Sequence, residues 1–210
     1  MKQPRLMSKL EVINKPIVFV DVETTGLSAQ EGHILDIGVV RIENGVIVAT
    51  YNQLLHPGVD IPWFITKLTG ISDKDVKSSP QFAAVADRLD ELFSGAVFAA
   101  HNVAFDYSFF TREYKRIGHT LQMDRFCTAK LSRTLHPEHR RHNLDSIIER
   151  GRYSIVNRHR AYDDAYVLFQ FYTDSLKLHG PKVHDTINKI MIAGRGNQGK
   201  KPITYVPFYE

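Results

Sequence analysis

The sequence predicts an α/β sandwich, a mixed sheet whose first three strands run antiparallel and whose faces are flanked by helices. Three observations carry this. The apolar run Ile17-Val18-Phe19-Val20 is followed by two β-rich runs, 34–42 and 46–51, joined by Asn44-Gly45. Asn-Gly supplies the two positive-φ positions of a type I′ turn, so these strands form an antiparallel meander. From Pro62 onward helical spacing dominates, interrupted by short apolar runs, which is the alternation expected of helices packed on a sheet.

The elements follow in order. His56-Pro57-Gly58 closes the third strand. Ser79-Pro80 predicts a helix start, with serine as N-cap and proline at the first helical position. Phe82, Val85, Ala86, Leu89 and Phe93 then recur at helical spacing until Ser94-Gly95. Residues 96–100 read as a short buried strand. His101-Asn102 leads into a helix carrying Phe105, Asp106, Phe109, Phe110 and Ile117. A further helix from about Ala161 presents Ala165, Leu168, Phe169, Tyr172 and Leu176, and His179-Gly180-Pro181 stops it. Residues 193–202 read as a flexible basic linker and 203–208 as a short apolar end. The expected organisation is one domain over 1–178 and a basic tail with an apolar end over 179–210.

Composition bounds the class. A chain of 210 residues, 43% hydrophobic and 24% charged, can bury one sizeable core. Met1-Lys2-Gln3-Pro4-Arg5 lacks the apolar stretch of a secretory leader. Nowhere do about 18 apolar residues run together, so no membrane role is expected. Cys127 is the only cysteine, which excludes an internal disulfide and a thiolate zinc site and makes a reducing cytoplasm the simplest expectation. Lys130, Arg133, Arg140, Arg141, Arg150, Arg152, Arg158 and Arg160 fall in one stretch. They form either a solvated face or a surface for a polyanion.

The chemistry is carried by acids that break apolar patterns. Asp21 and Glu23 directly follow the first strand run, and residues i and i+2 of a strand share a face. Burying two carboxylates together requires a divalent ion or a cationic side chain. Asp106 lies one helical turn before Phe110, and Asp164 lies three residues after Ala161 and four before Leu168, so both occupy inward stripes. Four acids from one strand and two helices supply oxygen ligands for Mg²⁺ or Mn²⁺. A pair of such ions, roughly 3.5–4 Å apart, stabilises both the attacking and the leaving oxygen of a phosphodiester displacement. Asp163 adjoins Asp164, but a helix turns about 100° per residue, so only one can face inward. Asp164 fits the stripe. Asp36, inside an apolar strand, reads as a structural hydrogen-bond acceptor. His159 stands at the mouth of the last long helix, five residues before Asp164.

These residues resemble a known pattern. Residues 21–27 (Asp-Val-Glu-Thr-Thr-Gly-Leu), 101–106 (His-Asn-Val-Ala-Phe-Asp) and 159–165 (His-Arg-Ala-Tyr-Asp-Asp-Ala) are similar, in order, to the three motifs of the DEDDh, or DnaQ-like, exonuclease family. Leu68-Thr69-Gly70-Ile71, 127–132 and His142-Asn143-Leu144 also resemble bacterial relatives, among them the proofreading epsilon subunit of DNA polymerase III. The resemblance implies a ribonuclease-H-like fold and 3′-to-5′ release of nucleoside monophosphates with two Mg²⁺ or Mn²⁺ ions. It implies that Asp21, Glu23, Asp106 and Asp164 are metal ligands and His159 the general base, with a pKa raised by nearby carboxylates. By the same resemblance, the backbone from Glu23 through Thr24 to Thr25 binds the terminal 3′-hydroxyl, Leu27 wedges against the last base, and Asn102 and Phe105 neighbour the scissile nucleotide. The expected partners are single-stranded or frayed 3′ ends of DNA, and a DNA polymerase subunit reached through the C-terminal tail. An RNA exonuclease and a catalytically idle nucleic-acid-binding scaffold are the competing readings, and a tail that packs on its own domain competes with docking.

Overall fold

The structure, a computed structural model, describes residues 15–155 and 157–194. Five strands form one sheet in the order β3-β2-β1-β4-β5. β1 (Ile17–Thr24), β2 (Ile34–Glu43) and β3 (Val46–Leu54) are the antiparallel meander. Asn44 and Gly45 take φ of 51° and 80° at its hairpin. β4 (Val97–Ala100) runs parallel to β1, and β5 (Arg125–Cys127) parallel to β4.

Side chains of β1 alternate between two cores, as a period of two requires. Val18, Val20 and Val22 face α3 (Phe82–Phe93) and α4 (Val103–Arg116), where Phe82, Phe93, Phe98 and Phe110 meet edge to face. Ile17 and Phe19 face the other core, built with α5 (Thr128–Leu135), α6 (Leu144–Gly151), α7 (Ala161–His179) and α8 (Lys182–Ile190). α1 (Trp63–Thr69) and α2 (Asp73–Val76) close a smaller cluster around Leu35. Asp21 and Glu23 stand on the Phe19 face, beneath α7.

Two expectations change. α3 begins at Phe82 with Gln81 in the cap position, not at Ser79-Pro80. The Ser79 N–H bonds to the Val76 carbonyl and the Pro80 carbonyl accepts from His56, so this pair ends the preceding turn and fastens it to the exit of β3. Folded structure also continues past 178. Val183 and Ile187 on α8 are fully buried, and Ile192 bridges Arg125 antiparallel at the sheet edge. An apolar signal of two residues spaced by four in a nine-residue helix is too small to read against a basic, polar background. The rest of the expected linker and its apolar end lie outside the described residues.

Candidate functional site

The site assembles where β1 ends, because three neighbouring segments place acids there. β1 carries Asp21 and Glu23, paired in register with Gly38 and Asp36 of β2. Gly38 is what brings α7 close, since a Cβ at this position would stand 2.1 Å from the carbonyl carbon and oxygen of Ala161. Asp36 then locks the approach. Its fully buried carboxylate accepts from Arg160 Nε at 2.9 Å and from the Ala161 N–H at 3.3 Å. The structural-acceptor reading of Asp36 therefore holds, although it also sits beside Glu23. One turn into α7, Asp164 is buried. The third segment is α4, which leaves β4 through Asn102 in the left-handed conformation, φ 72°, and buries Asp106 in its first turn.

The electrostatics show that these four acids share one place. Burial, then the charges of Asp106, Asp164 and Glu23, push the Asp21 carboxyl well above the carboxylate range. Glu23 is raised to about 8 by burial and by Asp164 and Asp36. Asp106 is raised to about 8 by burial, against the pull of the Val22 and Asp106 backbone N–H groups. Asp164 reaches only about 6, since burial is opposed by Arg158. Like charges in a desolvated site cannot all ionise without a compensating cation. Arg158 supplies one, donating from Nη1 to Asp164 Oδ2 and from Nε to Asp145 Oδ1 at 2.8 Å. It leaves Asp164 Oδ1 buried without a partner among the described residues. An orphaned carboxylate oxygen and an all-oxygen acid set in excess of the local cations fit hard divalent ions.

His159 joins the group. Its ring nitrogen lies within 4.8 Å of carboxylate oxygens of both Glu23 and Asp164. Its φ of 63° is unusual for a side-chain-bearing residue and is the kind of backbone strain, on the order of 1–3 kcal/mol, that persists where surrounding contacts demand it. Its pKa is lowered, by burial first and then by Arg158, against a smaller opposing effect of Asp145. The expected rise does not occur, because burial and the Arg158 charge together outweigh the pull of Asp145. Asp163 points elsewhere and accepts the Asn157 N–H at 3.0 Å, as its position one residue off the stripe requires.

The remaining expected residues surround this centre. Thr24 donates to the Gly26 carbonyl at 2.7 Å, and Thr25 and His33 exchange hydrogen bonds at 2.9 Å that close the loop leaving β1. Leu27 projects from that loop 88% exposed, an unusual state for leucine. Asn102 is exposed with its side chain uninvolved in capping, while Phe105 is half-buried against Phe109, ring centres 4.9 Å apart. Sequence reasoning missed Arg158 and Gly38 as parts of the site. Arg158 stood among eight basic residues with nothing to single it out, and the need for glycine at 38 shows only once α7 lies across β2. The basic stretch is partly internal. Arg150 donates to the Arg141 carbonyl and Ser132 Oγ, and Arg158 and Arg160 are held by acids.

A mixed sheet with acids gathered at the end of its central strand defines an α/β domain suited to metal-assisted hydrolysis, and comparison with known proteins agrees. Residues 18–172 match the RNase_T family model, described as exonuclease, and the chain belongs to this exonuclease family. It is 34% identical over 192 residues to the PolC-type DNA polymerase III of Caldanaerobacter subterraneus subsp. tengcongensis, a match covering 90% of this chain and 14% of that protein. The PolC-type polymerase III of Clostridium perfringens is 34% identical over 155 residues, 74% of this chain and 11% of that protein. The chain thus spans about one seventh of the first of these curated relatives. Among solved structures, exonuclease X in complex with 5′ overhanging duplex DNA superposes with a TM-score of 0.64 at 22% identity, covering 81% of this chain and 98% of that one. E. coli exonuclease I with a dT13 oligonucleotide gives 0.73 at 18% identity over 82% of this chain and 43% of that one. Likeness at these identities establishes the fold.

Proposed function

We propose that this chain is a DEDDh-type 3′-to-5′ exodeoxyribonuclease, in which Asp21, Glu23, Asp106 and Asp164 hold two Mg²⁺ or Mn²⁺ ions. The observation that carries the reading is the convergence of four charge-starved carboxylates, Asp106 and Asp164 buried and Asp21 and Glu23 half-buried, on one arginine and one histidine. When bound, such ions neutralise the charge that develops on the scissile phosphate and its attacking and leaving oxygens.

The chain's own residues do the rest. His159, its pKa held down by burial and Arg158, is neutral near pH 7, so a ring nitrogen is free to take the proton of the attacking water. Arg158 balances Asp164 while also donating to Asp145, which holds its guanidinium beside the carboxylates that would bind the ions. The loop from Glu23 to Thr25 offers backbone groups to the terminal 3′-hydroxyl, exposed Leu27 stacks against the last base, and Asn102 and Phe105 border the scissile nucleotide. The PolC-type relatives support a proofreading or repair role on single-stranded or frayed 3′ ends, with the segment beyond 194 as the route to a polymerase.

The experiment is a time course on 5′-labelled single-stranded DNA and RNA of one sequence, with Mg²⁺ or EDTA. The expected result is a descending ladder on DNA, abolished by EDTA and slowed about 10²–10⁴-fold in His159→Asn. Faster loss of nucleotides from RNA would move the function to RNA turnover. Binding without cleavage would leave an idle scaffold.

A further inference from the structure

We propose that His136, Glu138 and His139 form a second metal site, selective for zinc, at the opposite end of α7 from the carboxylates. The three residues occupy the turn after α5. His136 Nδ1 and His139 Nε2 each lie 3.5 Å from the same oxygen, Glu138 Oε1. That separation is long for a hydrogen bond, whose usual range is about 2.7–3.2 Å. It is close to the edge of a tetrahedron around zinc, roughly 3.3 Å for bonds of about 2.0–2.1 Å to nitrogen and oxygen. All three donor atoms lie within 4.8 Å of one another.

Two further polar groups lie beside the cluster. The His179 ring, at the C-terminus of α7, stands 4.9 Å from His136, and its Nε2 is buried without a partner among the described residues. Ser175, one turn earlier, is 3% exposed, and its Oγ also lacks a partner. Ser175, Asp174 and Phe171 line, with the three ligands, a cavity of about 360 Å³. Arg150 borders it too, but its guanidinium is committed to the Arg141 carbonyl at 2.8 Å and Ser132 Oγ at 3.1 Å.

The donor set decides the metal. Two imidazoles and one carboxylate suit zinc or its late transition-metal neighbours, whereas the oxygen-only carboxylate centre suits Mg²⁺ and Mn²⁺. A water in the cavity would complete four-coordination. A metal here would fix the turn at 136–139 against the cavity lined by Phe171 and Ser175 of α7. The turn is already joined to the domain through His142, whose Nε2 bonds the His139 carbonyl at 2.9 Å and whose Nδ1 meets Ser132 Oγ.

The test is a calorimetric Zn²⁺ titration of the full chain, stripped of metal and then held in excess Mg²⁺ so that zinc is not drawn to the carboxylates. Native protein, His139→Gln, Glu138→Gln and Asp164→Asn are compared, with metal-free melting temperatures verifying that each variant folds. The expected result is one zinc per chain in native protein and in Asp164→Asn, with affinity at least about tenfold weaker in the other two. Co²⁺ in its place should show the visible bands of tetrahedral coordination in native protein and lose them in His139→Gln. No zinc uptake by native protein, unchanged uptake by His139→Gln, or loss only in Asp164→Asn would each overturn the proposal.

Discussion

At the scale of single residues, the acids stand out because each costs stability where it sits. Asp106 is the clearest, being buried, raised to about 8 and, among the described residues, without a cationic partner of its own. Asp106→Asn should therefore stabilise the metal-free protein at pH 7.5 by about 1–3 kcal/mol, while lowering Mg²⁺-dependent nuclease activity by at least about 100-fold. Urea unfolding in EDTA and an initial-rate assay read the two effects, and loss of stability in the variant would contradict a charge-starved site. Asn102 separates backbone from side chain. Its φ of 72° suits glycine, so Asn102→Gly should keep the melting temperature within a few degrees and raise the KM for DNA if the amide touches the nucleotide. The acids were legible in the sequence because each interrupts an apolar strand or stripe. Arg158 was not, because it lies in a loop with no periodicity to violate.

At the scale of elements, the critical contact is α7 against β2. A methyl group at position 38 would overlap the Ala161 carbonyl, and the backbone on either side cannot yield cheaply. Gly38→Ala should cost about 3 kcal/mol or more and reduce activity even in molecules that remain folded, because Asp164 would be carried away from Asp21. Retained stability would mean that α7 rides more loosely on the sheet than its packing suggests. Strands β1 to β4 and helices α3, α4 and α7 could be read from hairpin chemistry and apolar spacing. β5, α5, α6 and α8 could not, since they lack a turn signal or an extended stripe of their own and are fixed by tertiary contacts such as the Arg125–Ile192 bridge. Ser79-Pro80 misled for the same reason, its backbone groups being used by the neighbouring turn and strand.

At the scale of the whole molecule, the proposed metal site would couple folding to pH and to metal. Glu23 and Asp106 at about 8 and Asp164 at about 6 all lie above their ordinary values of 4.5 and 3.8. The native state thus holds protons that the unfolded chain has released. Stability from these groups is fully present below about pH 4 and is lost as pH rises to about 8. In EDTA the melting temperature should fall between pH 5 and pH 8, and saturating Mg²⁺ should raise it more at pH 8 than at pH 5, since ions replace the missing protons. A flat profile with no metal dependence would contradict this coupling. The central claim, that four converging carboxylates make this exonuclease-family domain a metal-dependent 3′-to-5′ nuclease, is tested most directly with a 5′-labelled single strand incubated with Mg²⁺ and native protein or Asp106→Asn. A ladder shortening one nucleotide at a time with native protein, absent with the variant and with EDTA, is the expected result. Equal shortening by the variant, or release of the labelled 5′ nucleotide first, would contradict it.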